Sequence, residues 1–125
     1  MQLGIANATD LKLAASTLHD ARFKAEAIVF DPAARTFTLH CWVLETKRKG
    51  ADTPRHRMGY RLSFANVTDA KVIVKEKVDY YELSTIRFSE QDGKLDLITH
   101  YAIEISLAAE QLDGNLLKTG ETLPL

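Results

Sequence analysis

The stretch LDLITHYAIEISL, which runs from Leu95 to Leu107, decides the predicted fold of this chain. Its odd positions are apolar with the exception of Thr99, and its even positions are mostly polar or small. Alternation of this kind places the two sets of side chains on opposite faces of a strand, so that one face is buried and the other meets solvent. The odd positions are Leu95, Leu97, Thr99, Tyr101, Ile103, Ile105 and Leu107.

This stretch is long for a single strand, since strands usually run to about 3–10 residues. A three-residue loop at Thr99–Tyr101 would pair Leu97 with Ile103 and Leu95 with Ile105, and both apolar sets would then stay on one face. We therefore predict a hairpin with that loop. One continuous, bent strand is the alternative.

A helix is predicted at residues 7–18, ahead of the predicted strands. Leu11, Ala14, Ala15 and Leu18 follow the i, i+3, i+4, i+7 spacing of an apolar stripe, and Thr9 is the expected N-cap. The small residues in the stripe indicate that the helix lies close against a sheet.

About seven strands are predicted, joined mostly by short loops. A turn is expected at Asn66–Asp69, a hairpin turn at Asp92-Gly93, and a short helix at residues 108–112, followed by an extended tail. Lysines flank the fourth strand, which suits the edge of a sheet. The predicted strands are Arg22–Phe30, Thr36–Thr46, Met58–Phe64, Lys71–Lys75, Glu82–Phe88, Leu95–Ile98 and Ala102–Leu107.

The predicted architecture is mainly β, with a minor α+β character, in a single domain spanning residues 1–125. Consecutive strands with short connections pair antiparallel, and they must form a sandwich or a partly closed barrel to bury one face. Seven strands followed by a helix is also the order of pleckstrin-homology-like barrels. That alternative ranks second because the predicted last helix is short.

Composition narrows the class of protein. The chain has 125 residues, a net charge of −1 and one cysteine, Cys41, so it can form no internal disulfide. Small secreted domains usually depend on disulfides, and we therefore expect a cytoplasmic location. No signal-peptide pattern or long apolar run is present, so no membrane association is expected. No cofactor motif is found, and no cofactor is predicted.

The order of these features resembles an uncharacterised bacterial family that is catalogued only as a domain of unknown function. The family's glycine-rich last hairpin loop is missing from this chain. The resemblance implies a bacterial, cytoplasmic, single-domain protein and carries no activity. It rests on Leu18-His19-Asp20-Ala21, Arg35-Thr36-Phe37, Leu83, Ile86-Arg87-Phe88, Leu95–Ile98 and Ala102–Leu107.

A basic loop gives the leading functional hypothesis. Six of the sixteen basic residues fall within positions 47–61, and His56 and Tyr60 lie among them. Such a cluster can bind an acidic partner or a polyanion, although most charged loops are simply solvated. The pI of about 6.4 disfavours nucleic acid. We predict a non-enzymatic binding module that uses Lys47, Arg48, Lys49, Arg55, Arg57 and Arg61.

The alternative function is a small enzyme whose site would assemble His19, Asp20 and His100. Adjacent residues seldom point their side chains at each other, so His19 and Asp20 are more simply explained as structural residues at the end of the helix. His40 and Cys41 are also neighbours, but they point to opposite faces of a strand and cannot form a catalytic pair. Histidine spacing predicts no metal site. A homodimer formed through an exposed strand is a further interpretation.

Overall fold

A computed structural model describes residues 2–46 and 55–124 of the chain. Within these residues the chain forms ten strands, one α-helix and one short 3₁₀ helix at Ala25–Ala27. The elements are β1 (Gln2–Ile5), α1 (Ala8–Thr17), β2 (Arg22–Phe23), β3 (Ile28–Asp31), β4 (Thr36–Thr46), β5 (Arg55–Phe64), β6 (Val67–Val74), β7 (Tyr81–Ser89), β8 (Lys94–Thr99), β9 (Ile103–Ala109) and β10 (Gly114–Pro124).

The strands form one antiparallel sheet in the order β1-β10-β5-β4-β2-β7-β8-β9-β6, and β3 pairs with β4 outside this path. The two end strands of the path, β1 and β6, do not pair with each other, so the sheet is not closed into a barrel. The predicted mainly β class, with an antiparallel sandwich or open barrel, is confirmed. The number of strands is ten rather than seven.

Three differences explain the larger number of strands. The strand predicted at Arg22–Phe30 is divided into β2 and β3 by the 3₁₀ helix. The N-terminal strand β1 has no strong alternation and was not predicted. The predicted extended tail is β10, which lies between β1 and β5 and buries Leu116.

The hairpin at the centre of the prediction is present, with a shifted loop. Its loop is His100–Ala102 rather than Thr99–Tyr101, and the register pairs Leu97 with Ile105. Thr99 belongs to β8 because it pairs with Leu83 of β7, and its hydroxyl donates a hydrogen bond to the Ile103 carbonyl across the loop. Moving the loop by one residue changes the partner of each β8 residue by two positions along β9. Because side chains two positions apart lie on the same face of a strand, the buried face is unchanged. Five of the odd positions are at most 3% exposed: Leu95, Leu97, Ile103, Ile105 and Leu107.

The helix α1 packs its predicted stripe onto β7 and β1. Leu11, Ala14 and Ala15 are buried, as the spacing predicted. The predicted N-cap is wrong: Asn7 caps the helix through its side chain, which accepts a hydrogen bond from the Asp10 amide. The Asp10 carboxylate accepts a hydrogen bond from the Ala6 amide, so the two side chains close the first turn reciprocally.

Two local predictions are wrong. The turn before β6 lies at Ala65-Asn66 rather than at Asn66–Asp69, and Asn66 adopts a left-handed φ of 59°. The short helix predicted at residues 108–112 does not form, because β9 continues to Ala109 and pairs there with β6. Helix propensity is weak compared with a hydrogen-bonded ladder over a core. With a strand in place of the final helix, the pleckstrin-homology-like alternative loses its defining element.

Two further predictions for the sheet are confirmed, although β5, β6 and β7 are longer than predicted. The lysine-flanked strand β6 lies at the edge of the sheet. Cys41 is buried beside Phe37 and Leu39, as expected for a small core residue. Within the described residues, no helix combines the length and the apolarity that spanning a bilayer requires.

Candidate functional site

Asp20 lies in the short turn that connects α1 to β2. Its φ of 64° lies in the left-handed region, which Asp adopts more readily than most residues. The Asp20 amide donates to the Leu83 carbonyl over 2.8 Å, and the Leu83 amide donates to the Ala21 carbonyl over 2.8 Å. These bonds tie the junction to β7 and fix where the Asp20 carboxylate points.

His100 approaches Asp20 from the loop of the β8–β9 hairpin. The His100 amide donates to the Glu82 carbonyl over 3.3 Å, so this loop is held beside the start of β7. The His100 Nε2 atom lies 3.4 Å from Asp20 Oδ1 and 3.3 Å from Glu82 Oε2. Three segments that are distant in the sequence thus bring one imidazole between two carboxylates.

His19 completes this group of side chains. Its Nδ1 atom lies 2.9 Å from the Ser84 carbonyl oxygen, and its Nε2 atom lies 3.6 Å from Asp20 Oδ2. The expectation that neighbouring His19 and Asp20 would not face each other is therefore wrong. The left-handed backbone at Asp20 is the physical reason, since it turns the carboxylate back toward the imidazole. We call His19, Asp20, Glu82 and His100 the acid–imidazole cluster.

The structure thus brings together all three residues of the alternative site, His19, Asp20 and His100. It adds Glu82, which the sequence reasoning missed. Glu82 follows Tyr81 at the start of β7. The pairing of β7 with β8, which sets Leu83 opposite Thr99, places Glu82 beside His100, and the pairing of β7 with β2 brings it near Asp20. The hairpin predicted at Asp92-Gly93 sets β7 beside β8, but no spacing in the sequence indicates that Asp20 meets the same group.

A row of aromatic and basic side chains runs from Glu82 across the outer face of the sheet. The register places Arg22 opposite both Trp42 and Glu82. The Arg22 guanidinium lies 4.7 Å from the centre of the Tyr80 ring, and its Nε atom is 3.7 Å from Glu82 Oε1.

The same row continues to β5. Trp42 contacts Tyr80 edge to face, with ring centres 6.4 Å apart. The Arg57 guanidinium lies 5.0 Å from the centre of the Trp42 ring. These arrangements fall within the range of cation–π and aromatic contacts. We call Arg22, Trp42, Arg57 and Tyr80 the stacked strip.

The basic residues predicted for binding are placed only in part. Lys47, Arg48 and Lys49 lie outside the described residues, and of Arg55 only the backbone, at the start of β5, is described. Arg57 and Arg61 are both exposed on β5. They share one face of that strand, and Arg61 lies opposite His40 of β4.

The comparisons with known proteins give a family without an activity. The family described as "Protein of unknown function (DUF2948)" matches residues 1–124. The chain belongs to this family. The resemblance to an uncharacterised family is thereby confirmed. No curated protein and no solved structure matches the chain significantly.

Two open clefts adjoin the acid–imidazole cluster of this DUF2948 member. A cleft of about 1370 Å³ lies between α1, β7 and residues 110–113, and His19 is in its lining. A second cleft of about 690 Å³ lies beside the hairpin loop and is lined by Tyr80, Glu82 and His100. The two imidazoles of the cluster therefore face different clefts.

His40 and Cys41 behave as predicted from their strand. His40 is exposed on the outer face, whereas Cys41 is buried in the core. Burial raises the pKa of the Cys41 thiol to about 12, because the thiolate would lose its hydration. A thiol held in its protonated form is a poor nucleophile.

Proposed function

We propose that this chain is a binding module that captures an acidic segment of a protein partner on the outer face of its sheet. The observation that carries the proposal is the stacked strip, in which aromatic rings fix two guanidinium groups on one face. Arg61, on the same face of β5 as Arg57, adds to this positive surface, and the other basic residues at positions 47–61 are proposed to contribute to binding.

Stacking prepares an arginine for recognising carboxylates. The flat face of the guanidinium rests on an aromatic ring, while carboxylates bind to its N–H edge in a bidentate geometry. An arginine that is already held in place loses less side-chain freedom when the partner binds. Arg22 and Arg57 are both stacked in this way.

The charge of the outer face and of the whole chain favours an acidic protein segment over a nucleic acid as the partner. Arg61 and His40 lie on the outer face with the strip, whereas the whole chain carries a net charge of −1. Arg57 covers the Trp42 ring, which is the surface that a nucleobase would need for stacking. The carboxylates of Asp20 and Glu82 close one end of the strip and would repel a long polyanion that extended past it.

Intrinsic fluorescence gives a direct test, because Trp42 is the only tryptophan of the chain. Titration with a synthetic hexaglutamate peptide should change the emission of Trp42, and the affinity should fall as salt is raised. Hexalysine should give no response. A stronger response to single-stranded oligothymidylate than to hexaglutamate would replace the protein partner with nucleic acid.

Substitutions locate the surface. Changing Lys47, Arg48 and Lys49 together to alanine should weaken hexaglutamate binding about tenfold. Three surface ion pairs at about 0.5 kcal/mol each give about 1.5 kcal/mol, and about 1.4 kcal/mol corresponds to a factor of ten. Arg57→Ser should weaken it as well. The control variant Arg87→Ser removes an exposed arginine from β7 and should leave the affinity unchanged. Unchanged binding in the triple variant would remove the basic loop from the proposal.

A second candidate function, a small enzyme, is favoured by one observation: His19 and His100 both contact Asp20. Direct proton transfer needs contacts of about 2.6–3.2 Å, so these groups, at 3.4 and 3.6 Å, would exchange a proton through one water or after a small approach. We rank this candidate second because the two imidazoles face different clefts. Hydrolysis of p-nitrophenyl acetate or p-nitrophenyl phosphate that is lost in His100→Gln and kept in His40→Gln would place it first.

We also propose a cytoplasmic, bacterial setting for this protein, in line with the resemblance and with its single buried thiol. Homodimer formation is a separate proposal. The edge strand β6 exposes Val72, Ile73 and Val74, each by about two fifths or more of its surface. Size-exclusion chromatography with light scattering tests it, and a monomer at high concentration would reject it.

A further inference from the structure

The acid–imidazole cluster has the composition and spacing of a metal site. One ligand-type atom from each of Asp20, Glu82 and His100 lies within 4.8 Å of the other two. We propose that these three residues bind a divalent cation of borderline softness, for which Zn²⁺ is the reference ion. The inference goes beyond the proposed peptide binding and does not depend on it.

The distances within the cluster fit coordination of a cation as well as long hydrogen bonds. His100 Nε2 lies 3.4 Å from one carboxylate oxygen and 3.3 Å from the other. Hydrogen bonds between charged groups are usually shorter, at about 2.7–2.9 Å. Two ligands at about 2.1 Å from a tetrahedral Zn²⁺ are about 3.4 Å apart. The observed separations therefore match ligands that surround a cation.

Electrostatics point the same way. The carboxylates of Asp20 and Glu82 converge on a single nitrogen atom, and their negative charges repel each other at this separation. Arg22 approaches Glu82 only at 3.7 Å, and on the other carboxylate oxygen. The C-terminal end of α1, which carries partial negative charge, lies immediately before Asp20. A bound cation would offset all three sources of negative potential.

The orientation of His19 is compatible with a cation beside Asp20. A carbonyl oxygen can only accept a hydrogen bond, so the 2.9 Å contact with Ser84 requires a proton on His19 Nδ1. In the neutral ring, Nε2 then presents a lone pair toward Asp20 Oδ2, which lies 3.6 Å away and is also an acceptor. A shared proton, a water molecule or a bound cation can satisfy two such acceptors.

The backbone holds the three ligands before any cation arrives. Asp20 is kept in its left-handed conformation by the hydrogen bond from its amide to the Leu83 carbonyl. His100 is tethered to Glu82 through its own amide. Residues held in sparsely populated conformations by the surrounding structure are concentrated at functional sites. The left-handed residue is also one of the three ligands.

The ligand set selects the class of cation. Imidazole nitrogen with carboxylate oxygen suits zinc and similar first-row metals, whereas Mg²⁺ and Ca²⁺ prefer six or more oxygen ligands. Three protein ligands leave a fourth position of a tetrahedral ion open to water or to another group. The ligand side chains are partly exposed, so an ion can reach them from solvent.

Calorimetric titration of the full chain with Zn²⁺ tests the site. We expect one ion to bind per chain and the thermal midpoint to rise with the Zn²⁺ concentration. Asp20→Asn, Glu82→Gln and His100→Gln should each weaken binding at least tenfold. Asn tolerates the left-handed backbone at position 20, so Asp20→Asn keeps the fold. A circular dichroism spectrum like that of the wild type would verify this.

Matched controls separate the cluster from general surface binding. His40→Gln removes an exposed imidazole elsewhere on the sheet, and Glu104→Gln removes an exposed carboxylate that pairs with Lys75. Both variants should bind Zn²⁺ like the wild type. Co²⁺ should give the visible absorption of a tetrahedral site, and this absorption should be lost in His100→Gln. His19→Gln should weaken binding less than loss of a ligand does.

Three results would overturn the assignment. They are no one-to-one binding of Zn²⁺ at millimolar concentration, equal weakening by His40→Gln and His100→Gln, and competition by equimolar Mg²⁺. The peptide-binding proposal fails on different evidence, because Arg57→Ser should leave Zn²⁺ binding unchanged. The two proposals can therefore fail separately.

Discussion

Leu97 offers the sharpest test of the fold, because it lies at the centre of the hairpin and is 1% exposed. Its cross-strand partner Ile105 is also buried, as are Leu95 and Leu107 in the next pair of the same register. A cavity at position 97 would thus be enclosed by side chains that are themselves fixed in the ladder. Leu97→Ala should therefore lower the free energy of unfolding by about 3 kcal/mol, the loss typical of a rigid core site.

The free energy of unfolding should be measured by urea titration, with the fluorescence of Trp42 as the signal. Trp42 lies on the outer face of β4, away from the substituted position, and so reports global unfolding. A loss of about 3 kcal/mol would be a large part of the roughly 5–15 kcal/mol that stabilises a small domain. It should lower the thermal midpoint by about 12 °C in a chain of this length.

Tyr101 provides the matched control within the same stretch. The alternation assigns it to the apolar set with Leu97, but the loop turns it outward and leaves it 67% exposed. Tyr101→Ala should change the free energy of unfolding by no more than about 0.5 kcal/mol. If Leu97→Ala cost less than about 1 kcal/mol, or if the two variants were equally destabilised, the hairpin would not have this register and this buried face.

Two further predictions concern the sheet and the core. Gly114→Ala should lower the free energy of unfolding, measured by urea titration, by about 2 kcal/mol, because a Cβ atom there would lie 2.6 Å from the ring of buried Phe64. In the control variant Gly4→Ala the new Cβ atom meets no atom within 4 Å, so this variant should be nearly neutral. Equal effects of the two variants would refute this packing. Burial raises the pKa of the Cys41 thiol to about 12, whereas the thiol of the unfolded chain ionises at about 8.5. The stability that the protonated Cys41 thiol contributes is therefore complete below about pH 8.5 and is lost as the pH rises toward 12. Wild type should accordingly lose stability relative to Cys41→Ala by up to about 1.4 kcal/mol per pH unit in that window, and parallel pH profiles would contradict the assignment.

The sequence by itself determined the elements whose signal is local and periodic. Alternation over residues 95–107 predicted the central hairpin and its buried face, and the bounds predicted for β4, Thr36–Thr46, are those observed. The stripe of Leu11, Ala14 and Ala15 predicted the helix and the face that it buries. These patterns are reliable because burial acts on every second or every third to fourth side chain of a continuous segment.

Only the tertiary structure decided where strands without a local signal would pair. β1 is a strand because β10 lies beside it, and residues 108–109 are a strand because β6 pairs with them. In both places hydrogen-bonded ladders over a common core outweighed local propensity. The sequence pattern indicated Thr9 as the N-cap instead of Asn7, because both residue types can cap a helix and only the structure shows which one does.

The acid–imidazole cluster belongs wholly to the tertiary structure. His100 and Asp20 lie 80 residues apart along the chain, and Glu82 joins them through the pairing of β7 with both β2 and β8. The left-handed backbone that turns Asp20 toward both imidazoles leaves no periodic mark in the sequence. Residue types indicated His19, Asp20 and His100 as candidate site residues. Contacts between distant segments bring their side chains together, and no local pattern encodes those contacts.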